Sequence, residues 1–369
     1  MRFAGAFLAV FGGVLLAIVG TNLALDIDSR FAGHYRSEHQ VALLLANGQN
    51  AAGNVSINIP AMRRLVLTRL EHAPEVVVLG SSRVMEITQD MVAGRLVNLS
   101  VDSGGLVEGV AIVAALERQG LRPRTVIVGV DPWMFNRQAD LPVTLRPYRD
   151  DLGTDFAHEL LKRMQIDWYK PVDLWKSAFS LARLREGLIS AKTATSPCGE
   201  FRAVDDSPSE CSVWRADGSY QYPRRVAERS PDEVEAAVAL AVSQRGRMHA
   251  FTGYDRLDSD YEDAFSAFLD ALIARTIDVI IYLPPYHPLV EKAFAVRRDW
   301  TLVAQAEQFV RQAAAERDLV ILGAYSAGVA GCRADQFYDG IHPKRDCVVA
   351  SLHGLPAAHK TARQATRLP

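Results

Sequence analysis

Glu75-Val76-Val77-Val78-Leu79-Gly80-Ser81-Ser82-Arg83 is the stretch on which the fold turns. Four consecutive apolar residues, three of them β-branched, leave the segment no polar face. That is the pattern of a strand buried on both sides in a parallel sheet, where an antiparallel strand with one wet face would alternate. Gly80 lets the chain turn sharply at the strand's end. Ser81 and Ser82 then sit at the carboxyl edge of the sheet. Similar runs recur at residues 95–101, 125–131, 278–283 and 319–323, with helical patterns between them at 107–119, 261–275 and 301–317. Strands alternating with helices predict an α/β fold: a three-layer sandwich with a mostly parallel sheet covered by helices on both faces.

The flanks give the domain organisation. Residues 3–25 carry no charge and are long enough to cross a bilayer core of about 30 Å as a helix. Apolar residues on every face and the terminal position argue against a buried core helix. The apolar region is longer than that of a secretory signal, and no small-x-small cleavage site precedes Asp26, so 1–25 reads as an uncleaved transmembrane signal anchor. Arg2 before it and Asp26 and Asp28 after it orient the N-terminus to the cytoplasm, which leaves the bulk of the chain extracytoplasmic, or periplasmic beyond an inner membrane. Residues 26–60 read as a stalk and entry segment. Residues 61–136 and 251–369 hold the strand–helix rhythm. Residues 137–250 break it with a Pro-rich start, a Trp-bearing helical part and an irregular part, and read as a helical and irregular insertion or lid over the sheet's carboxyl edge.

A second short stretch supplies the complementary chemistry: Phe337-Tyr338-Asp339-Gly340-Ile341-His342-Pro343. A serine hydroxyl needs a base to take its proton, a third group to hold that base, and donors for the oxyanion that forms. Asp339 stands three residues before His342, with Gly340 easing the turn that would lay the carboxylate on one ring nitrogen. The other nitrogen is then free to act as base. Each stretch alone has a structural explanation, since Ser81 or Ser82 can cap a helix and Asp-Gly is a common surface turn. Together, in the order Ser82, Asp339, His342 within one α/β domain, they predict nucleophilic catalysis.

On these residues the chain resembles the SGNH/GDSL hydrolase superfamily over roughly 75–131 and 278–356. Ser82 matches the nucleophile of a relaxed Gly-Ser-Ser first block of the membrane-anchored, cell-envelope type, and Asp339 and His342 match the final Asp-x-x-His block. Asn98-Leu99-Ser100-Val101 leading into Gly104-Gly105 resembles the second block, which makes Gly104 the expected oxyanion donor, give or take one residue. The resemblance implies a flavodoxin-like SGNH core. The third block departs from the pattern: Gly129-Val130-Asp131-Pro132 puts an acid where the family has an oxyanion-donating Asn. An ionised carboxylate cannot donate and repels developing negative charge. Three resolutions remain: Asp131 turns away, it is protonated, or Asn136 or Arg83 takes the donor's place. The 129–136 stretch is similar, more weakly, to the D-alanine-transfer and alginate O-acetylation proteins.

The resemblance therefore implies an acyl-ester hydrolase or O-acyltransferase acting on a cell-envelope or exported polysaccharide. Its partners would be an acylated or acyl-accepting glycan, the membrane and, for a transferase, a membrane-bound acyl-donor protein. The alternative is a catalytically inactive glycan-binding or assembly component on the same fold. Forty-one basic and 43 acidic residues give a net charge of −2, and no basic tract appears, so no nucleic-acid partner is expected. The cysteines number four, and in an oxidising compartment their spacing favours Cys198–Cys211 and Cys332–Cys347. They match no zinc pattern, and neither metal nor cofactor is expected. Trp133, Trp168, Trp175 and the Tyr286-His287 pair are further cleft candidates, each more readily explained by packing.

Overall fold

A computed structural model describes residues 2–25, 35–53, 57–139, 142–168, 178–194, 198–205, 209–245, 250–251 and 253–353. Its centre is a five-stranded, all-parallel sheet. The strands are β2 (Val76–Leu79), β3 (Leu96–Asn98), β4 (Thr125–Gly129), β8 (Asp278–Leu283) and β9 (Val320–Gly323), in the order β3-β2-β4-β8-β9. Chain order reverses between β2 and β4. A crevice opens at such a switch point beyond the carboxyl ends of the strands, where ligands of open α/β sheets bind.

Alternation along each strand divides the core in two. Val77, Leu79, Val126, Val128, Ile281 and Leu283 face the larger core, packed by the helices Leu106–Arg118, Ser259–Ala274 and Arg298–Ala315. Val76, Val78, Ile127, Ile280 and Leu322 face a smaller one closed by Val348 and Leu352 at the chain's last described helix, Arg345–Ser351. The Tyr282 and Ser351 hydroxyls, 2.9 Å apart, pin that helix to β8. Continuous apolar strands are thus the direct result of burial on both sides.

The expected stalk turns out differently. Within 26–60, the helix Arg36–Ala46 buries Val41, Ala42 and Leu45 in the main core, and β1 (Asn50–Ala52) pairs antiparallel with β5 (Arg202–Val204) and β6 (Val213–Trp214) of the expected insertion. With β7 (Tyr220–Gln221) these form a second sheet, β5-β1-β6-β7, so segments read as spacer and lid share one structure. The insertion is not wholly peripheral either, because the helix Asp155–Arg163 buries Phe156, Leu160 and Leu161 in the main core. Both cysteine pairs are bonded as expected, Cys198–Cys211 and Cys332–Cys347.

The N-terminal helix Arg2–Leu25 is long and apolar enough to cross a membrane, with mean hydropathy 2.2 over Gly5–Leu25 and little of it buried. Near its end the Asn22 amide donates to the carbonyls of Ala178 (2.7 Å) and Ser180 (3.0 Å).

Candidate active site

Gly80 sits at φ +138°, and a Cβ there would lie 2.8 Å from the Gly129 carbonyl of the neighbouring strand. The close approach of β2 and β4 therefore requires glycine at this turn. Ser81 follows as the cap: fully buried, its Oγ accepts from the Arg83 N–H at 3.2 Å. This leaves Ser82, first residue of the short 3-10 helix Ser82–Val84, partly exposed at the switch point. The two serines thus divide the roles that the sequence left open between them.

The partner loop is built locally. Phe337 bridges Pro343, Tyr338 N–H donates to the His342 carbonyl (2.9 Å), and the Cys332–Cys347 bond closes the base. Inside this loop the Asp339 Oδ1 accepts from the Ile341 and His342 amides at 2.9 and 3.0 Å. Its Oδ2 lies 2.8 Å from His342 Nδ1. The opposite ring nitrogen, Nε2, is 2.9 Å from Ser82 Oγ, across 260 residues of chain. Ser82, His342 and Asp339 are therefore brought together at hydrogen-bond distances throughout. Burial pushes the Asp339 carboxyl up, but the bond and charge of His342 and the two backbone amides outweigh it and hold it at about 2. An ionised Asp339 fixes Nδ1 as the protonated nitrogen and leaves Nε2 to accept the serine proton.

The expected oxyanion groups fare differently. Asp131 turns away from the serine: it is fully buried, and its Oδ1 takes a bond of 2.6 Å from Arg83 Nη1. Asn136 is buried and spent, its amide donating to the Ala250 carbonyl (2.8 Å) and its Oδ1 accepting from the Gln138 N–H (3.1 Å). Arg83 is 1% exposed, and its remaining nitrogens donate to the carbonyls of Ile341 and Pro284. The Gly104 N–H donates to the Val101 carbonyl at 3.0 Å. Each of the four is thus engaged elsewhere: Asp131 and Arg83 with one another, and Asn136 and the Gly104 N–H with carbonyls. The Ser82 N–H, by contrast, has no acceptor among the described residues, as an oxyanion donor requires. The 101–104 loop still abuts the nucleophile turn, through Val101 N–H to the Gly80 carbonyl (3.0 Å), and Ser103 within it is exposed at φ +53°.

Two residues went unread in the sequence. Tyr222, just after β7, packs its ring at a tilt, with its centroid 4.2 Å from that of Tyr338 and 5.8 Å from that of His342. It is placed there because the hairpin docks on the core through Tyr220 N–H to the Met85 carbonyl (2.9 Å) and Asn98 N–H to the Asp217 carbonyl (2.7 Å). Burial, then the Asp339 charge, pushes its phenol well up, so it stays a neutral donor. Glu86 is buried beneath, accepting from Tyr338 Oη at 2.7 Å; burial outweighs that bond and raises its carboxyl. Tyr222 carried no sequence signal beyond an aromatic in an irregular segment. Tyr286 and His287 are buried, as is Trp133, while Trp168 packs against the core and Trp175 lies outside the described residues. No family model matches the chain, and no curated protein matches it.

Proposed function

We propose that the protein is a membrane-anchored, extracytoplasmic serine acyl-ester hydrolase or O-acyltransferase of SGNH type, acting on a cell-envelope or exported polysaccharide. The observation that carries this is the continuous Ser82–His342–Asp339 relay at 2.9 and 2.8 Å on the switch point of a parallel sheet. The two disulfides and the exposed apolar N-terminal helix support the compartment. In the first half-reaction His342 Nε2 takes the Ser82 proton as Oγ attacks the acyl carbonyl. The Ser82 amide faces the oxyanion, and His342 returns the proton to the departing alcohol, leaving an acyl-serine. In the second, His342 Nε2 takes the proton of an acceptor that attacks the acyl carbon, then passes it to Ser82 Oγ as the acyl–serine bond breaks, restoring the free enzyme. Water makes the reaction hydrolysis; a sugar hydroxyl makes it transfer, and a membrane-bound protein would supply the acyl donor. Tyr222 packs beside the base, its ring centroid 5.8 Å from that of His342.

A second reading rests on the spent Gly104, Asp131 and Asn136 groups: an inactive fold-mate that binds glycan or assembles an acylation complex. Treatment of the detergent-solubilised full chain with a fluorophosphonate separates the two. Stoichiometric labelling that maps to Ser82 and vanishes in Ser82→Ala is the expected result. Glycan binding without labelling would leave the second reading standing.

A further inference from the structure

Arg83 is buried to 1% exposure beside the nucleophile, yet nothing in the proposed chemistry uses its charge. Its guanidinium makes four contacts that tie three segments of the site together. Nη1 meets Asp131 after β4 at 2.6 Å, Nη2 the Pro284 carbonyl after β8 at 2.5 Å, and Nε the Ile341 carbonyl at 2.9 Å, while the plane lies 3.9 Å over the Tyr286 ring. Ile341 immediately precedes His342. The same loop is held once more by His287 N–H to the Gly340 carbonyl at 3.0 Å. A guanidinium suits this junction because its fork of donors is rigid and planar, whereas a lysine ammonium is a point charge on a flexible stem.

We propose that Arg83, with Asp131 as its buried counter-ion, is the positioning residue that sets the His342 loop onto Ser82. The family's oxyanion position is thereby given over to a structural ion pair. Buried pairs of this kind are often replaceable by apolar side chains of similar volume at little cost in stability. The conservation of energy on removal, set against a loss of alignment, is what distinguishes positioning from simple stabilisation. The inference rests on the Ser82 chemistry proposed above for its kinetic part alone.

The test compares the full-length chain with Arg83→Met/Asp131→Leu and with Arg83→Lys. Two quantities are read: hydrogen exchange of the peptide covering residues 337–343, and the maximal fluorophosphonate labelling rate at Ser82, separated from its half-saturating concentration. The double variant is expected to melt cooperatively, to exchange about tenfold faster in that peptide, and to label about tenfold more slowly at saturation, one decade being about 1.4 kcal/mol of alignment. Arg83→Lys should recover part of both. A folded double variant with wild-type exchange and labelling would overturn the proposal. If the double variant does not fold, wild-type behaviour of Arg83→Lys would overturn it instead. A wild-type chain that fails to label refutes the Ser82 chemistry, while the exchange comparison still decides the clamp.

Discussion

Strands β2 and β4 lie side by side, with Leu79 opposite Val128, and end in turns that look alike: Gly80-Ser81-Ser82 and Gly129-Val130-Asp131. Both glycines leave no room for a Cβ: at Gly80 it would meet the Gly129 carbonyl at 2.8 Å, and at Gly129 it would meet the Val84 side chain at 2.4 Å. Both deliver a polar side chain to the switch point. Yet Ser82 is partly open and meets a histidine, while Asp131 is fully buried and meets an arginine. A place at the sheet edge makes a residue eligible for chemistry. What decides its use is whether a stronger local partner claims it first. Here the residue after the nucleophile claims the carboxylate, and the site keeps the hydroxyl.

Substitution is the most direct way to break this contrast. Asp131→Ala strands a buried guanidinium and should cost about 3–5 kcal/mol, against about 1 kcal/mol or less for the partly exposed Ser82→Ala. Thermal melting of the two variants gives the comparison, and equal melting temperatures would erase it. The next effect concerns the loop on the serine side. Cys332→Ala/Cys347→Ala opens a crosslink spanning 15 residues, for which chain entropy predicts about 3 kcal/mol of lost stability. The labelling rate at Ser82 should fall with it, because the crosslink closes the base of the Asp339–His342 loop. Retained labelling at full rate would show that the turn stands without its staple.

The smallest effect is acidic. The Asp339 carboxyl is held at about 2 in the folded chain and titrates near 3.9 when unfolded. A carboxyl depressed in this way contributes its full stabilisation above about pH 4 and loses it as the pH falls toward 2. Partial exposure of the pair keeps the contribution modest. Stability of Asp339→Asn, followed by denaturant unfolding between pH 2 and 5, should vary less steeply than that of the wild type. Matching slopes would show that His342 and the amides do not depress Asp339.

Much of the fold was legible. The continuous apolar runs at 76–79 and 278–283 announced doubly buried strands, and both appear. The stalk and the insertion were misread because β1, β5, β6 and β7 are two or three residues each, too short for a period to show. Within the site, the Asp339–His342 contact could be foreseen because its partners are three residues apart. Of the three resolutions open for Asp131, its pairing with Arg83 matches turning away, and Arg83, one of the two groups offered as a replacement donor, is its partner instead.

The sequence by itself determined the local terms: which segments are buried on both sides, where glycine must turn the chain, which acid braces which base, and that one terminal helix can cross a membrane. Each follows from neighbours within a few residues. Only the tertiary structure decided which serine faces the base, that Asp131 and Arg83, 48 residues apart, neutralise one another, and that Tyr222 covers His342. Those outcomes depend on which strands become adjacent and on which buried donors and acceptors compete for each partner. Burial makes such pairing obligatory without saying along the chain where the partner will be.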